Sequence, residues 1–245
     1  MMKFTVENKA IVVPGEVLAE GSGSIAGDVY KDGDFLRAAR LGLLNTDNKA
    51  LIALSGRYNP QKGDTIIGKV VDVNLYGWRL EINCAYTAML SMKEATSEFI
   101  AKGADLTQYF DLGDYIVVKI YNVTTQKLVD VTSKGPGLKK IKGGRIIEVN
   151  THKVPRIIGK QGSMVGMIKF ATNCKISVGQ NGLVWISGEP EKELIAVETI
   201  RRIERESHLS GLTDTIKQFL EEKTGVKIEE RAEEKAEEFK EFRAN

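Results

Sequence analysis

The sequence predicts a multi-domain protein that is mainly β, with an α+β domain in its C-terminal half. Short β-branched runs separated by glycine-containing turns continue to about residue 132. The composition then changes at a stretch rich in glycine and lysine, near residue 138. Beyond this stretch, strand-like and helical patterns follow in the order β-α-α-β-β-α. These observations divide the chain into segments 1–60, 61–137 and 138–223, followed by a charged tail at 224–245.

The first segment is rich in glycine and is predicted to form a small antiparallel sheet. The run Ile11-Val12-Val13 is β-branched and ends at the turn signal Pro14-Gly15. Two further apolar runs, at 41–44 and 50–54, are separated by a polar turn. Because a sheet of this size is marginally stable by itself, we expect it to pack against something larger.

The second segment contains five short strand-like patterns. The first opens with Gly63-Asp64 and the fourth with Gly113-Asp114, and a polar stretch at 93–110 separates the third from the fourth. Five short strands with an insertion at this place are typical of the five-stranded OB barrel. The predicted strands are 65–73, 78–82, 86–92, 115–123 and 127–131.

The third segment follows a predicted linker at 133–144. Its hairpin has strands at 175–178 and 183–187, which meet at the tight-turn dipeptide Asn181-Gly182. The charged tail, with glutamate pairs and basic residues at helical spacing over 227–242, is compatible with a solvated helix or with disorder. The other predicted elements are a strand at 145–149, a broken helix at 154–172, and helices at 191–206 and 212–222.

The strongest functional motif is Gly159-Lys160-Gln161-Gly162, which lies between two predicted helical stretches. Glycines at this place allow an RNA backbone to approach closely, and the following helix N-terminus favours phosphate. Together with the element order, the motif is typical of the KH domain, whose Gly-x-x-Gly loop clamps about four nucleotides. A second match, Gly179-Gln180-Asn181-Gly182, is interpreted as a hairpin turn only.

The charge distribution supports an RNA-binding site near this motif. The net charge of the chain is only +2, yet eight Lys or Arg residues and a single acid, Glu148, lie between positions 139 and 169. In the barrel, aromatic residues on the middle strands are candidates for base stacking. Strand alternation places Tyr76 and Trp78 on one face and Arg79 on the other. The candidate RNA-binding residues are Gly159, Lys160, Gln161, Gly162, Arg156, Lys153, Tyr76, Trp78, Arg79 and Lys69.

No motif indicates an enzyme, a metal site or a cofactor site. The chain lacks both glycine-rich nucleotide-binding signatures, and its two histidines, His152 and His208, have no metal-ligand spacing. Cys84 and Cys174 are far apart and are expected to be buried apolar residues. The N-terminus lacks a secretory pattern and no apolar run is long enough for a membrane helix, so we expect a cytoplasmic protein that does not contact membranes.

Residues 63–132 resemble the RNA-binding OB domain named after the largest protein of the small ribosomal subunit. The similarity runs through Gly68-Lys69-Val70 and Tyr76-Gly77. Arg79 stands where that family often has a second aromatic residue, and Ser91 where it often has histidine. The departures imply weaker base stacking, with backbone electrostatics contributing more.

Over residues 10–222 the chain also resembles the KH-bearing cap subunits of the archaeal RNA exosome, the ribosomal-RNA-processing protein four family. The domain order carries this resemblance, together with Val13-Pro14-Gly15-Glu16 in the first segment. Further matching segments are 111–115, 154–160 and 206–214.

This resemblance implies a non-catalytic protein that binds single-stranded RNA and guides 3′ ends into a hexameric phosphorolytic core. Cap subunits form a three-membered ring with other copies or with a related subunit, and the N-terminal sheet and part of the KH domain would dock on the core. Two alternatives stay open: a free-standing RNA-binding translation factor, and a fragment related to polynucleotide phosphorylase. The latter family places KH before the OB domain, the reverse of this order.

Overall fold

The computed structural model describes residues 2–54, 56–97, 100–101, 103–207, 209 and 211–228. Most of the predicted charged tail, from residue 229 onward, and His208 lie outside the described residues. The chain divides after Arg57 into two compact units.

The N-terminal unit contains two antiparallel sheets around a core of its own. The first has the strand order β1-β3-β5-β4 and the second the order β2-β6-β7. Leu18 and Leu36 of the first sheet share a buried cluster with Leu44 and Leu51 of the second. The small antiparallel sheet predicted from the runs at 11–13, 41–44 and 50–54 is β2-β6-β7. It packs, as expected, against a larger element, the four-stranded sheet, which the sequence did not predict. The strands are β1 Lys3–Phe4, β2 Ile11–Val12, β3 Val17–Glu20, β4 Val29–Asp32, β5 Phe35–Ala38, β6 Gly42–Asn45 and β7 Ala50–Ala53.

The predicted OB barrel is confirmed. Its strands are β8 Thr65–Asn74, β9 Gly77–Glu81, β10 Thr87–Ser91, β11 Tyr115–Val123 and β12 Val129–Thr132. They are hydrogen-bonded in the order β12-β10-β9-β8-β11, and a β11–β12 pairing closes the barrel. The insertion between β10 and β11 contains the short helix α1, Met92–Ala95, and a 3-10 turn at Leu106–Gln108. Alternate residues such as Ile66, Leu80 and Leu90 fill the interior.

A further strand, β13 at Lys140–Ile141, lies within the predicted linker. It pairs with β11 through Tyr115 and Ile116, so the linker extends the barrel sheet. Ile141 also belongs to an apolar layer between the barrel and the next domain, together with Ile67, Val117 and Trp185. The predicted linker at 133–144 is thus also a structural element, since its residues join the two domains through backbone pairing and apolar contact.

The KH arrangement is also confirmed. The strands form a sheet in the order β14-β16-β15, and the helices cover one side of it. The predicted broken helix is two helices, which are separated by the Gly-x-x-Gly segment. Ile157, Ile168, Ile200 and Ile216 each come from a different helix and are fully buried in one core. The elements are β14 Arg145–Glu148, α2 Val154–Ile158, α3 Ser163–Thr172, β15 Lys175–Val178, β16 Leu183–Ser187, α4 Pro190–Glu206 and α5 Leu212–Thr224.

The β15–β16 turn anchors the KH domain to the barrel. Asn181 is fully buried, and its side-chain amide donates to the carbonyl oxygens of Ile67 at 2.7 Å and Ile82 at 3.1 Å. Its Oδ1 accepts from the backbone N–H of Ile67 at 3.2 Å. A Cβ at Gly179 would lie 2.9 Å from that same nitrogen, so only glycine permits this approach. The turn is therefore also a domain contact, which the sequence did not predict.

Candidate RNA-binding surface

The Gly159–Gly162 segment connects α2 to α3 through three residues with positive φ. Gly159 has φ 75°, Gln161 φ 54° and Gly162 φ 80°. A Cβ at Gly159 would lie 2.7 Å from the backbone nitrogen of Met164, whereas one at Gly162 would meet nothing closer than 4.0 Å. Gly159 is thus required by the path of the chain itself, and Gly162 leaves open space for an approaching ligand backbone.

The same segment presents positive charge at the start of a helix. The Lys160 and Gln161 side chains are exposed, and α3 begins directly after Gly162. The helix macrodipole adds partial positive charge at this end, so the loop and Lys160 together favour a phosphate group.

Two neighbouring basic residues predicted as contacts have different surroundings. Lys153 ends a 3-10 turn that leads into α2 and is half-buried. The Nε of Arg156 donates to the carbonyl oxygen of Ser207 at 3.1 Å, just after the last residue of α4. This hydrogen bond ties Arg156 to the end of α4, where a cation also complements the helix dipole.

Fewer basic side chains of the cluster at 139–169 are available to bind RNA than the sequence suggests. Lys140 forms an ion pair with Asp114, and the Nε of Arg145 lies 2.9 Å from Glu193 Oε2. Both acids lie outside the 139–169 window. Burial raises the pKa of the Asp114 carboxyl, but the hydrogen bonds from Lys140 and the Asp111 backbone, together with the charges of Lys140 and Lys142, hold that pKa below its ordinary value. Two of the eight positive charges therefore stabilise the fold, which leaves fewer for RNA.

The prediction that Trp78 stacks on RNA is wrong. Its side chain is fully buried in the barrel, where Nε1 donates to the carbonyl oxygen of Phe110 at 2.8 Å. The Trp78 ring packs edge-on against Phe110, with centroids 5.2 Å apart. Tyr76 lies in the β8–β9 turn and is 77% exposed, so strand alternation does not place these two side chains on one face.

The other predicted barrel contacts are exposed or half-exposed but do not form one cluster. Arg79 lies on β9, and its guanidinium is 3.8 Å from Asp72 Oδ2. Lys69 lies on β8, with Nζ 5.9 Å from the ring centroid of Tyr115. Tyr115 in turn packs against the apolar layer between the two domains. Lys69 therefore sits beside the domain junction, while Tyr76 projects from the turn at the far end of β8.

Within the described ranges, no group of three or more His, Cys, Asp or Glu side chains is arranged to hold a metal ion. Cys174 is buried as predicted, but Cys84 is only partly buried, and that burial raises the pKa of its thiol. His152 lies in the 3-10 turn that precedes α2. None of the helices in the described part of the chain has the length and apolar composition to cross a membrane.

Two models of protein families match this chain. One, described as KH domain, matches residues 144–202, and the other, described as RRP4, S1 domain, matches residues 57–101. A solved crystal structure of a protein provisionally described as an exosome complex RNA-binding protein superposes with a TM-score of 0.61. The two sequences are 35% identical, and the superposition covers 69% of this chain and 97% of the solved chain.

Curated relatives match over most of the chain. The exosome complex component Rrp4 of Methanobrevibacter smithii is 42% identical over 217 residues, which cover 88% of this chain and 72% of the relative. The component of the same name from Pyrococcus furiosus is 40% identical, and the match covers 90% of this chain and 86% of the relative. The one from Thermoplasma acidophilum is also 40% identical, and the match covers 89% of this chain and 93% of the relative. These identities and coverages establish that the chain belongs to the Rrp4 family of exosome complex components.

Proposed function

We propose that this protein is a non-catalytic cap subunit of an exosome, which binds single-stranded RNA and guides 3′ ends into a phosphorolytic core. The observation that carries the proposal is the exposed Gly159–Gly162 segment, with Lys160 at the N-terminus of α3, in a chain of the Rrp4 family. Catalysis would belong to the core subunits. The cytoplasmic location predicted from the sequence stays a prediction.

The RNA path would begin at the Gly-x-x-Gly segment. Gly162 offers open space for the sugar-phosphate backbone, and Lys160 and the α3 dipole supply the positive potential. Tyr76, at the tip of the β8–β9 turn, is the most exposed aromatic residue among our barrel candidates and is suited to stack on a base. Because Asn181 and the apolar layer hold barrel and KH domain together, the two contacts would act from one rigid body.

The N-terminal unit has a surface suited to assembly. Ile11, Leu43 and Ile52 lie opposite one another across β2, β6 and β7, so their side chains share one face of the sheet. Ile11 is 65% exposed and Ile52 49% exposed. A contiguous exposed apolar face of this kind is typical of protein–protein interfaces. We propose that this face docks on the phosphorolytic core, and that three cap subunits form a ring there.

The test is affinity purification of the tagged protein from its native cells, with mass spectrometry and a phosphate-dependent RNA-decay assay on the eluate. We expect a phosphorolytic hexamer in the eluate, with decay in the complex and none with the isolated chain. Recovery with ribosomal particles alone would instead support a translation factor, and phosphorolysis by the isolated chain would support an enzyme.

A paired substitution assigns the docking face. Ile52→Asp should abolish co-purification of the core while RNA binding persists, since it places a charge on the apolar face. Tyr30→Asp is the control, because Tyr30 is also exposed but lies on β4 of the other sheet. If Ile52→Asp still assembles, the core is bound through another surface.

A further inference from the structure

A groove of about 760 Å³ lies between α3, α4 and α5 and is not used by the proposed function. Phe170, Ala171 and Ile195 supply apolar lining. Three lysines, each from a different helix, also line it: Lys169, Lys192 and Lys223. We call this feature the three-helix groove.

The lining of the three-helix groove is predominantly positive. Glu191 is the one carboxylate among the described residues that line it. Lys192 is partly neutralised, with Nζ 2.8 Å from Glu189 Oε2. Lys223 lies 5.7 Å from the ring centroid of Phe219, which keeps its charge beside the end of α5. An apolar surface beside several cations fits a peptide that carries both glutamates and aromatic side chains.

The end of α5 directs the chain toward this groove. Gly225, with φ 69°, terminates the helix, and Val226 lines the groove itself. The backbone nitrogen of Ile228 donates to Glu221 Oε1 at 2.9 Å, and the Ile228 side chain packs against the KH core. The chain thus turns back on the helical face instead of continuing along the axis of α5.

The sequence that follows matches the groove in charge and in side-chain type. Residues 229–245 contain seven glutamates against four Lys or Arg, which is a net charge of −3, and two aromatic residues, Phe239 and Phe242. We propose that segment 229–245 docks in the three-helix groove of its own chain, with glutamates against the lysines and phenylalanines on the apolar lining. Because the segment begins beside the groove, its effective concentration there is on the order of millimolar.

Docking has a consequence for the Gly-x-x-Gly segment. Lys169 lies on α3, the same helix whose N-terminus follows Gly162. A bound acidic segment lowers the positive potential around α3 and therefore weakens RNA binding until it is displaced. This consequence rests on the proposed RNA contact, whereas the docking itself does not.

The docking is tested without RNA by nuclear magnetic resonance on two labelled proteins, the full chain and a chain ending at Ile228. The shorter chain keeps every described element of the fold. A synthetic peptide of residues 229–245 should shift the signals of Lys169, Phe170 and Lys223 in the shorter chain, toward their positions in the full chain. Absence of peptide binding, or identical groove signals in the two proteins, would overturn the proposal.

Charge variants make the test specific. The double variant Lys169→Glu/Lys223→Glu should weaken peptide binding about three- to tenfold, the effect of losing two exposed ion pairs. Lys134→Glu, at an exposed position between the barrel and β13, is the control for charge reversal outside the groove and should leave peptide binding nearly unchanged. A peptide with two glutamates changed to lysine should recover binding to the double variant.

Two further outcomes would overturn docking within one chain. If groove signals of the full chain depend on protein concentration, the segment binds a second copy. If a single-stranded oligonucleotide shifts the groove signals of the shorter chain and the peptide does not, the groove is an RNA surface.

Discussion

Two segments of this KH domain share the pattern Gly-x-x-Gly and have opposite roles. Gly159–Gly162 connects two helices and presents exposed Lys160 and Gln161 to solvent. Gly179–Gly182 closes a hairpin, and its Asn181 is fully buried against the barrel. The spacing of the glycines is identical, so the spacing does not determine which segment is available to RNA. The flanking elements do, because helix ends leave a loop open whereas this hairpin turn meets another domain.

The glycines themselves also serve different purposes in the two segments. Gly179 permits close approach of the barrel strand at Ile67, and a Cβ at Gly182 would lie 2.4 Å from the carbonyl oxygen of Val149. In the first segment only Gly159 is constrained in this way, and Gly162 faces open space. The two segments thus differ in the space at their last glycine, which is open at Gly162 and filled at Gly182.

The largest expected effect is on stability, from Asn181→Leu. The change leaves the N–H of Ile67 and the carbonyl groups of Ile67 and Ile82 buried without these partners, which should lower the free energy of unfolding by about 2–5 kcal/mol. Chemical denaturation measures it. A leucine at an exposed position of the other segment, Lys160→Leu, should alter stability by less than about 0.5 kcal/mol. An equal loss of stability in the two variants would contradict the conclusion that only the second segment joins the two domains.

The next effect separates the two glycines of the first segment. Gly159→Ala should destabilise the protein by about 1–3 kcal/mol, since its Cβ collides with the Met164 backbone at a positive φ. Gly162→Ala should lower the free energy of unfolding by less, because the alanine would strain the backbone at a positive φ but its Cβ would not collide with any atom. Thermal unfolding of both variants gives the order, and a larger loss for Gly162→Ala would contradict the assignment.

RNA affinity should distinguish the second position of each segment. Lys160→Glu should weaken binding of single-stranded RNA about three- to tenfold and reduce the salt dependence by roughly one phosphate contact. Gln180→Glu, which places a glutamate at the second position of the Gly179–Gly182 turn, should leave the RNA affinity and its salt dependence nearly unchanged. Fluorescence anisotropy at several salt concentrations measures them. Unchanged affinity and slope for Lys160→Glu would remove Lys160 from the RNA site.

The smallest effect concerns the ion pair of Asp114 with Lys140, which supports the same domain junction as Asn181. The pKa of Asp114 is lowered on folding, so its stabilisation is fully present above the ordinary value of 3.8 and is lost as the pH falls through the lower folded-state pKa. Asp114→Asn should therefore lower stability at pH 7 by less than about 1 kcal/mol. The difference from the unchanged protein should vanish in acid. A difference that persists below the folded-state pKa would indicate a cause other than the charge.

Much of the local structure could be predicted from the sequence. The hairpin strands at 175–178 and 183–187 and the strand at 115–123 have the bounds that were predicted, because alternation and turn residues are local signals. The Gly159–Gly162 loop was placed correctly between two helices for the same reason. Strand β13 was missed, since two residues carry no periodic pattern and pair with β11 only through the tertiary fold.

The burial of individual candidate side chains was decided by contacts between distant parts of the chain. Trp78 is an aromatic residue beside a turn in the sequence, but its indole reaches Phe110, 32 positions away, inside the barrel. Asn181 reaches Ile67, 114 positions away. Arg145 and Lys140 belong to a basic stretch whose acidic partners lie elsewhere in the chain.

The sequence by itself therefore determined the element order of the barrel and the KH domain, their two fold types, and the position of the loop that we propose for phosphate recognition. These depend on local periodicity, glycine placement and turn chemistry, which act between neighbouring residues. Only the tertiary structure decided that Trp78 fills a core and that one Gly-x-x-Gly turn joins two domains. Side-chain burial and long-range hydrogen bonds depend on which distant segments meet, and no local pattern encodes that meeting.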